Sequence, residues 1–292
     1  MSKEDNKEIK TDFYLLRNLF FDLIKYLFLL IPRLFVLIYN LILFRFEEVS
    51  KVSPNIFIFP FKVIKDIISW FYQAKYTFYI SILLIFMFLF QIIYLNSSDL
   101  LNSIMTNPIH FYEGNFHSTL TSIFIHANVF HLISNLIALN IFGRIVEREF
   151  KGKILWIFLV SGVVSNVISN SISYFQSNFF FSLGASGAIA GLIVLAILIS
   201  PFSLTTLLIV PLPIFVIGWF LIILDIIGLT NPSTVNHLAH LGGYMALVII
   251  YYLVSLHHRK KLLIGFLLNM LVLVFLYILI NLIEIGDINL II

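Results

Sequence analysis

The sequence predicts an all-α polytopic membrane protein. Three observations carry the prediction: composition, the placement of positive charge, and the apolar runs between the charges. Of 292 residues, 60% are hydrophobic, 16% aromatic and only 11% charged. A soluble globule has too little interior to hide that much apolar surface. All 18 Lys and Arg fall within residues 3–75, Arg144 to Lys153, or Arg259 to Lys261. Positive residues stay on the cytoplasmic side. Each stretch between those blocks therefore crosses the bilayer an even number of times.

At about 20 residues per crossing, the apolar runs supply seven spans. Residues 76–95 form the first and 129–146 the second. Residues 154–175, 186–200, 207–229 and 237–256 form four more, and 262–283 a last, unpaired one that leaves the C-terminus outside. The organisation expected is a cytoplasmic or interfacial region at 1–75, a six-span core at 76–256, and a basic loop with a seventh span at 257–292. In the first region, Asn18, Asp22, Lys25, Arg33 and Asn40 project within about 80° of a helical wheel. Lys62, Lys65, Asp66, Ser69 and Gln73 repeat the pattern. Both read as amphipathic helices lying in the interface. The alternative is a span over 26–44 with Arg33 at its centre, at a cost of roughly 3 kcal/mol. The polar start, MSKEDNKEIKTD, is not a signal peptide. Cysteine is absent, which removes disulfides and thiolate metal sites.

Polar side chains inside spans are costly and mark function. The second, fourth and sixth spans all enter from the outer face, so their first turns share a depth. Those turns carry His131 and Asn135, then Ser186, then His237 and His240. From Ser186 to the residue before Pro201 is about 15 residues, or roughly 22 Å of helix. That is shorter than the ~30 Å hydrocarbon core, so Ser186 lies below the outer boundary if the helix stops at the proline. The preceding loop must dip in against protein, because irregular backbone cannot face lipid. The stretch GASGAIAG (184–191) also reads as packing alone, since Gly187 and Gly191 make a G-x-x-x-G pair. Each histidine, and Asn135, reads equally as an interhelical hydrogen-bonding group.

Three motifs in order resemble the rhomboid intramembrane serine proteases. They are HANVFHLISN (126–135), GASGAIAG (184–191) and AHLGGY (239–244), with Gly143-x-x-x-Glu147 closing the second span. The likeness covers roughly residues 76–256, and the extra C-terminal span is similar to the family's six-plus-one arrangement. The resemblance implies Ser186 as nucleophile and His240 as general base and later acid, with no acidic third member. It implies an oxyanion hole of His131, Asn135 and the Ser186 N–H. His126 belongs to the same motif, Gly184 brackets the turn that admits substrate, and Gly187 and Gly243 let two spans approach. The chemistry needs these types. A hydroxyl is inert until an imidazole takes its proton, and each preorganised oxyanion donor is worth about 10²–10³ in rate.

Three positions depart from the family pattern. His117-Ser118 replaces the usual Trp-Arg of the first outer loop. Ala190 stands where some members carry a tyrosine, and Gly243-x-x-x-Leu247 replaces a second G-x-x-x-G, which predicts a wider helix crossing lower down. His237 competes with His240 as base, and the family pattern selects His240. Asp225 reads as solvated at the surface or paired with a polar neighbour rather than catalytic; His110 and His117 read as loop residues. No H-E-x-x-H occurs, and Glu113 lacks ligand-like histidine spacing, so neither metal nor other cofactor is expected. The function expected is cleavage of single-span membrane proteins near the outer face, the partners being those substrates and the bilayer, without nucleic acid. A prokaryotic plasma membrane is the simplest location. Alternatives are a non-catalytic rhomboid-like binder of membrane helices and a transporter with a histidine proton relay; the latter needs internal repeats that the sequence lacks.

Overall fold

The computed structural model describes residues 73–95, 98–207, 210–230 and 235–289, with Asp22 and Lys25. Asp22 and Lys25 are each helical; the rest of the two expected amphipathic stretches lies outside the described residues, apart from Gln73. The chain divides into two compact units, residues 1–75 with 204–211, and residues 76–203 with 212–292. Every candidate site residue belongs to the second.

That unit is helical. Helix α1 (Lys75–Tyr94) is followed by three short helices, α2 (Ser98–Ile104), α3 (Pro108–Tyr112) and α4 (Ser118–Thr121). His110 lies in the short helix α3, while His117 sits in the turn just before α4, as a loop residue. Helix α5 (Val129–Ala138) runs through a π-helical turn (Leu139–Gly143) into α6 (Arg144–Phe150). Then come α7 (Ile154–Phe175), α8 (Ser186–Ile199), α9 (Ile214–Gly228), α10 (His237–Leu253) and α11 (Leu256–Asn289). Helix α1 and the stretch Val129–Phe175 are long and apolar enough to cross a bilayer; α8, α9 and α10 are shorter apolar helices.

The helix expected from residue 207 begins seven residues later. Between α8 and α9 the chain forms two paired strands, β1 (Leu204–Leu207) and β2 (Val210–Pro213). The reason is local: Pro211 and Pro213 cannot donate to a helix ladder, and β-branched Thr205, Thr206 and Val210 favour extended backbone. The last helix also begins earlier and ends later than the span expected at 262–283.

Helix α8 is the axis of the core. Twelve of its 14 residues are buried, as a helix apolar all round must be. Around it pack α7, α10, α11, α9 and the π-turn. It stops at Ile199, ahead of Pro201, so its length is roughly 21 Å, shorter than a ~30 Å hydrocarbon core. At the opposite end, Glu147 of α6 accepts from the Tyr76 N–H (3.0 Å), the Thr77 N–H (2.7 Å) and the Thr77 hydroxyl (2.7 Å). A carboxylate thus satisfies the free donors at the start of α1 and meets the positive end of its dipole.

Helix α7 carries a buried polar row: Ser161, Ser165, Asn166, Ser169, Asn170 and Ser173. It binds the segment between α2 and α5 as well as α10. Asn166 donates to the Thr119 carbonyl and Ser122 Oγ, Asn170 to Thr106 Oγ1, and Ser165 to the Ala239 carbonyl at 2.6 Å. Such internal partners are what a polar group away from water requires.

Candidate active site

Ser186 is the first residue of α8, and its side chain is partly exposed. No side chain caps this helix start, so the leading N–H groups, that of Ser186 among them, have no side-chain partner and carry the positive dipole end. Ahead of it, Gly184 has φ +119°, a left-handed conformation that suits glycine. The His131 ring fills the space a side chain would need: a Cβ on Gly184 would lie 2.6 Å from His131 Cε1 and 2.7 Å from Nε2. The loop is held from two sides, by a pair of backbone hydrogen bonds between Thr106 and Ser182 and by Gly184 N–H donating to the Ser122 carbonyl.

Helix α10 meets α8 at glycine distance. A Cβ on Gly243 would lie 2.1 Å from the Gly187 carbonyl oxygen, and one on Gly187 would meet Ser165 Oγ. Backbones therefore touch where Ser186 and His240 leave their helices. Lower down, Leu198, Leu247, Leu262 and Phe266 line part of an apolar cavity of about 240 Å³ shared by α8, α10 and α11.

The start of α10 is fixed by Asn236, which sequence reading missed. Its Oδ1 accepts from the Ala239 N–H (3.0 Å), and its amide donates to Ser169 Oγ (3.0 Å) and Ser182 Oγ (2.9 Å). An asparagine directly before a helical run is a cap signal, so the sequence did carry it. On the other flank, Asp225 Oδ1 lies 2.7 Å from His240 Nδ1 and 2.8 Å from His237 Nδ1, and Oδ2 accepts the Tyr244 hydroxyl. Asp225 is buried. It is not a solvated surface group; it pairs with three polar neighbours. These donor types suit a divalent cation, and the ligand atoms of Asp225, His237 and His240 lie within 4.8 Å of one another, but hydrogen bonds between the three already use those atoms.

Two observations separate the competing histidines. On a helix of 3.6 residues per turn, His240 lies about 60° from the Gly243 contact and His237 about 120°. The His237 ring instead rests on Gly228 of α9. His240 is also close enough to His131 for a charge on one to act on the other. Among the described residues, the Ser186 hydroxyl makes no hydrogen bond; serine and imidazole share a seam without being bonded.

On the facing side, Asn128 caps α5 by accepting from the His131 N–H at 2.9 Å. His131 Nδ1 accepts from the Ala127 N–H over a long 3.5 Å, and the Nε2 edge lies against Gly184. Asn135 is buried, and its amide donates to the His131 carbonyl one turn back. One of its two N–H groups remains for another acceptor. His126 is fully buried, exchanges two backbone hydrogen bonds with the Gln91 side chain and packs its ring edge-on to His131, but among the described residues neither ring nitrogen has a partner. Burial, with His131 adding to it, pushes its imidazole down to about 4.

Residues 113–257 match the family model for the Rhomboid domain. The chain belongs to the rhomboid family. Two relatives from Arabidopsis thaliana are similar to it. RHOMBOID-like protein 12, mitochondrial, is 30% identical over 165 residues, 51% of this chain and 49% of that protein. Rhomboid-like protein 11, chloroplastic, is 34% identical over 151 residues, 47% of this chain and 51% of that protein. The chain thus spans about half the length of the curated relatives it matches. Rhomboid proteins are membrane-embedded, and the matched range holds His131, Ser186 and His240 together with Asp225.

Proposed function

We propose that this rhomboid is an intramembrane serine endopeptidase, cutting a peptide bond in or beside a single membrane-crossing helix of another protein, at the outer side of a seven-span fold. The observation that carries this reading is the seam between α8 and α10, where Gly187 and Gly243 bring the turns of Ser186 and His240 into backbone contact. In the proposed reaction Ser186 Oγ bonds to the scissile carbonyl carbon as its proton passes to His240 Nε2. The electron pair displaced onto oxygen is received by the Ser186 N–H, by His131 Nε2–H and by the free N–H of Asn135. Collapse breaks the C–N bond, the amine leaves with the proton from His240, and an acyl group remains on Ser186 until water, activated by the same ring, releases it. The uncapped start of α8 supports the oxyanion role, because preorganised donors contribute most where water is scarce. A substrate helix must unwind locally, since its own hydrogen bonds occupy the carbonyl.

The test is labelling of purified protein by a fluorophosphonate, with cleavage of tagged single-span proteins mapped by mass spectrometry. Label and cleavage are expected in the wild type and lost in Ser186→Ala and His240→Ala; label retained in Ser186→Ala removes that serine from the mechanism. One observation favours a second reading, a helix binder without catalysis: Ser186 and His240 are not hydrogen-bonded. Catalytic contacts are often loose before substrate arrives, and a binder predicts that Ser186→Ala and wild type capture and release membrane helices identically.

A further inference from the structure

The geometry points to Asp225 as a positioning residue for the base, extending the pair Ser186–His240 to a third member. The assignment rests on the protease reading and adds to it a role that the three motifs do not contain. Asp225 rides on α9 and His240 on α10, and the carboxylate reaches Nδ1 of the ring at 2.7 Å. A carboxylate at Nδ1 holds the imidazole proton there, which leaves the Nε2 lone pair for the serine proton and stabilises the imidazolium that forms. A buried carboxylate is costly unless its oxygens are occupied. Here three donors serve two oxygens, His237 and His240 at Oδ1 and Tyr244 at Oδ2. Tyr244, one turn beyond His240, keeps the carboxylate from rotating off the ring. That steadies His240 where Ala190 offers no ring to stack on it. The titratable groups facing this cluster are His237 and Tyr244 from α10 and, across the seam, His131 from α5. Because the two partners lie on different helices, His240 is oriented only while the outer end of α9 rests against α10.

The experiment uses the full chain in proteoliposomes with a single-span reporter that the wild type cuts. Asp225→Asn preserves the size of the side chain but can donate to Nδ1 and impose the wrong tautomer. Its kcat is expected to fall by about 10²–10⁴ with KM within about threefold, and Asp225→Glu to recover part of the loss. A purely structural role would instead lower the folded fraction and leave kcat per folded molecule unchanged. A second measurement needs no Asp225 variant: ¹⁵N-histidine spectra of the Ser186→Ala protein, with His240 assigned by His240→Gln. The His240 proton is expected on Nδ1. An Nε2–H tautomer, or an Asp225→Asn kcat within threefold of wild type, overturns the assignment alone. Absence of Ser186-dependent cleavage by the wild type overturns the protease reading and the assignment with it.

Discussion

Two helices, α5 and α10, present histidines from their first turns, and each begins on an asparagine cap. The polar bonds at the start of helix α5 are local: Asn128 accepts from the His131 N–H, the His131 ring accepts a long bond from the Ala127 N–H, and Asn135 bonds back onto its own helix. Helix α10 is braced on three sides. Asn236 ties it to α7 and to the loop before Ser186, Ser165 of α7 takes the Ala239 carbonyl, and Asp225 of α9 takes both histidine rings. In the proposed mechanism, then, the base is oriented before substrate arrives, while the oxyanion donors of α5 retain freedom to adjust. This division suits an enzyme whose substrate must first be unwound. A loose base would lose the correct tautomer, whereas donors that settle onto the substrate carbonyl as the helix unwinds are in place before the oxyanion develops.

The largest break in this comparison comes from the seam itself. In Gly243→Val a Cβ would start 2.1 Å from the Gly187 carbonyl, so the helices separate by about an ångström or more. A displacement of that size costs about 10² in rate, and fluorophosphonate labelling of Ser186 is expected to slow at least that much.

Acid is expected to act next, and on the α5 side. An unfolded chain protonates His126 as pH falls through about 6.5, whereas the folded one resists until about 4. Stability contributed by the neutral ring is therefore complete above pH 6.5 and declines toward pH 4. The linked loss is about 3 kcal/mol. Denaturant or thermal unfolding in detergent at several pH values measures it, and His126→Phe is expected to flatten the profile in that window.

Much of this arrangement was legible before any coordinates. Helices α7 and α8 fall where charge blocks and Pro201 put them; shared depth marked His131, Asn135, Ser186, His237 and His240, and the family resemblance chose His240 between the two histidines. The hairpin at 204–213 was hidden because a run of Leu, Ile and Val reads alike for strand and helix, with only Pro211 and Pro213 as signals. The row of Ser161, Ser165, Ser169 and Ser173 was legible as an i, i+4 pattern and went unread. Asp225 was legible only as an acid that solvates or pairs with one polar neighbour, not as one held by three. One acid near the end of an apolar helix looks like a residue reaching for water. That it turns inward is decided by two histidines and a tyrosine on another helix, 12 to 19 residues away in sequence.

The two caps give the sharpest comparison. Asn236→Ala removes one cap bond and both serine bonds, leaving Ser169 and Ser182 short of a partner within the protein. The loss is expected at about 2–3 kcal/mol, with slower Ser186 labelling because His240 rides on that turn.

Asn128→Ala removes only the bond from the His131 N–H, and its cost is expected at about 1 kcal/mol. Unfolding of both variants in the same detergent checks the ratio. If the α5 start is free to adjust, Asn128→Ala raises KM for the reporter substrate and leaves the labelling rate by a small fluorophosphonate close to wild type, since the small probe does not need the helix to be held in place. Equal effects of the two variants on labelling would mean that α5 is as rigidly placed as α10, through contacts other than its cap. The division of labour between a fixed base and an adjustable oxyanion side would then be wrong, even with every catalytic residue correctly named.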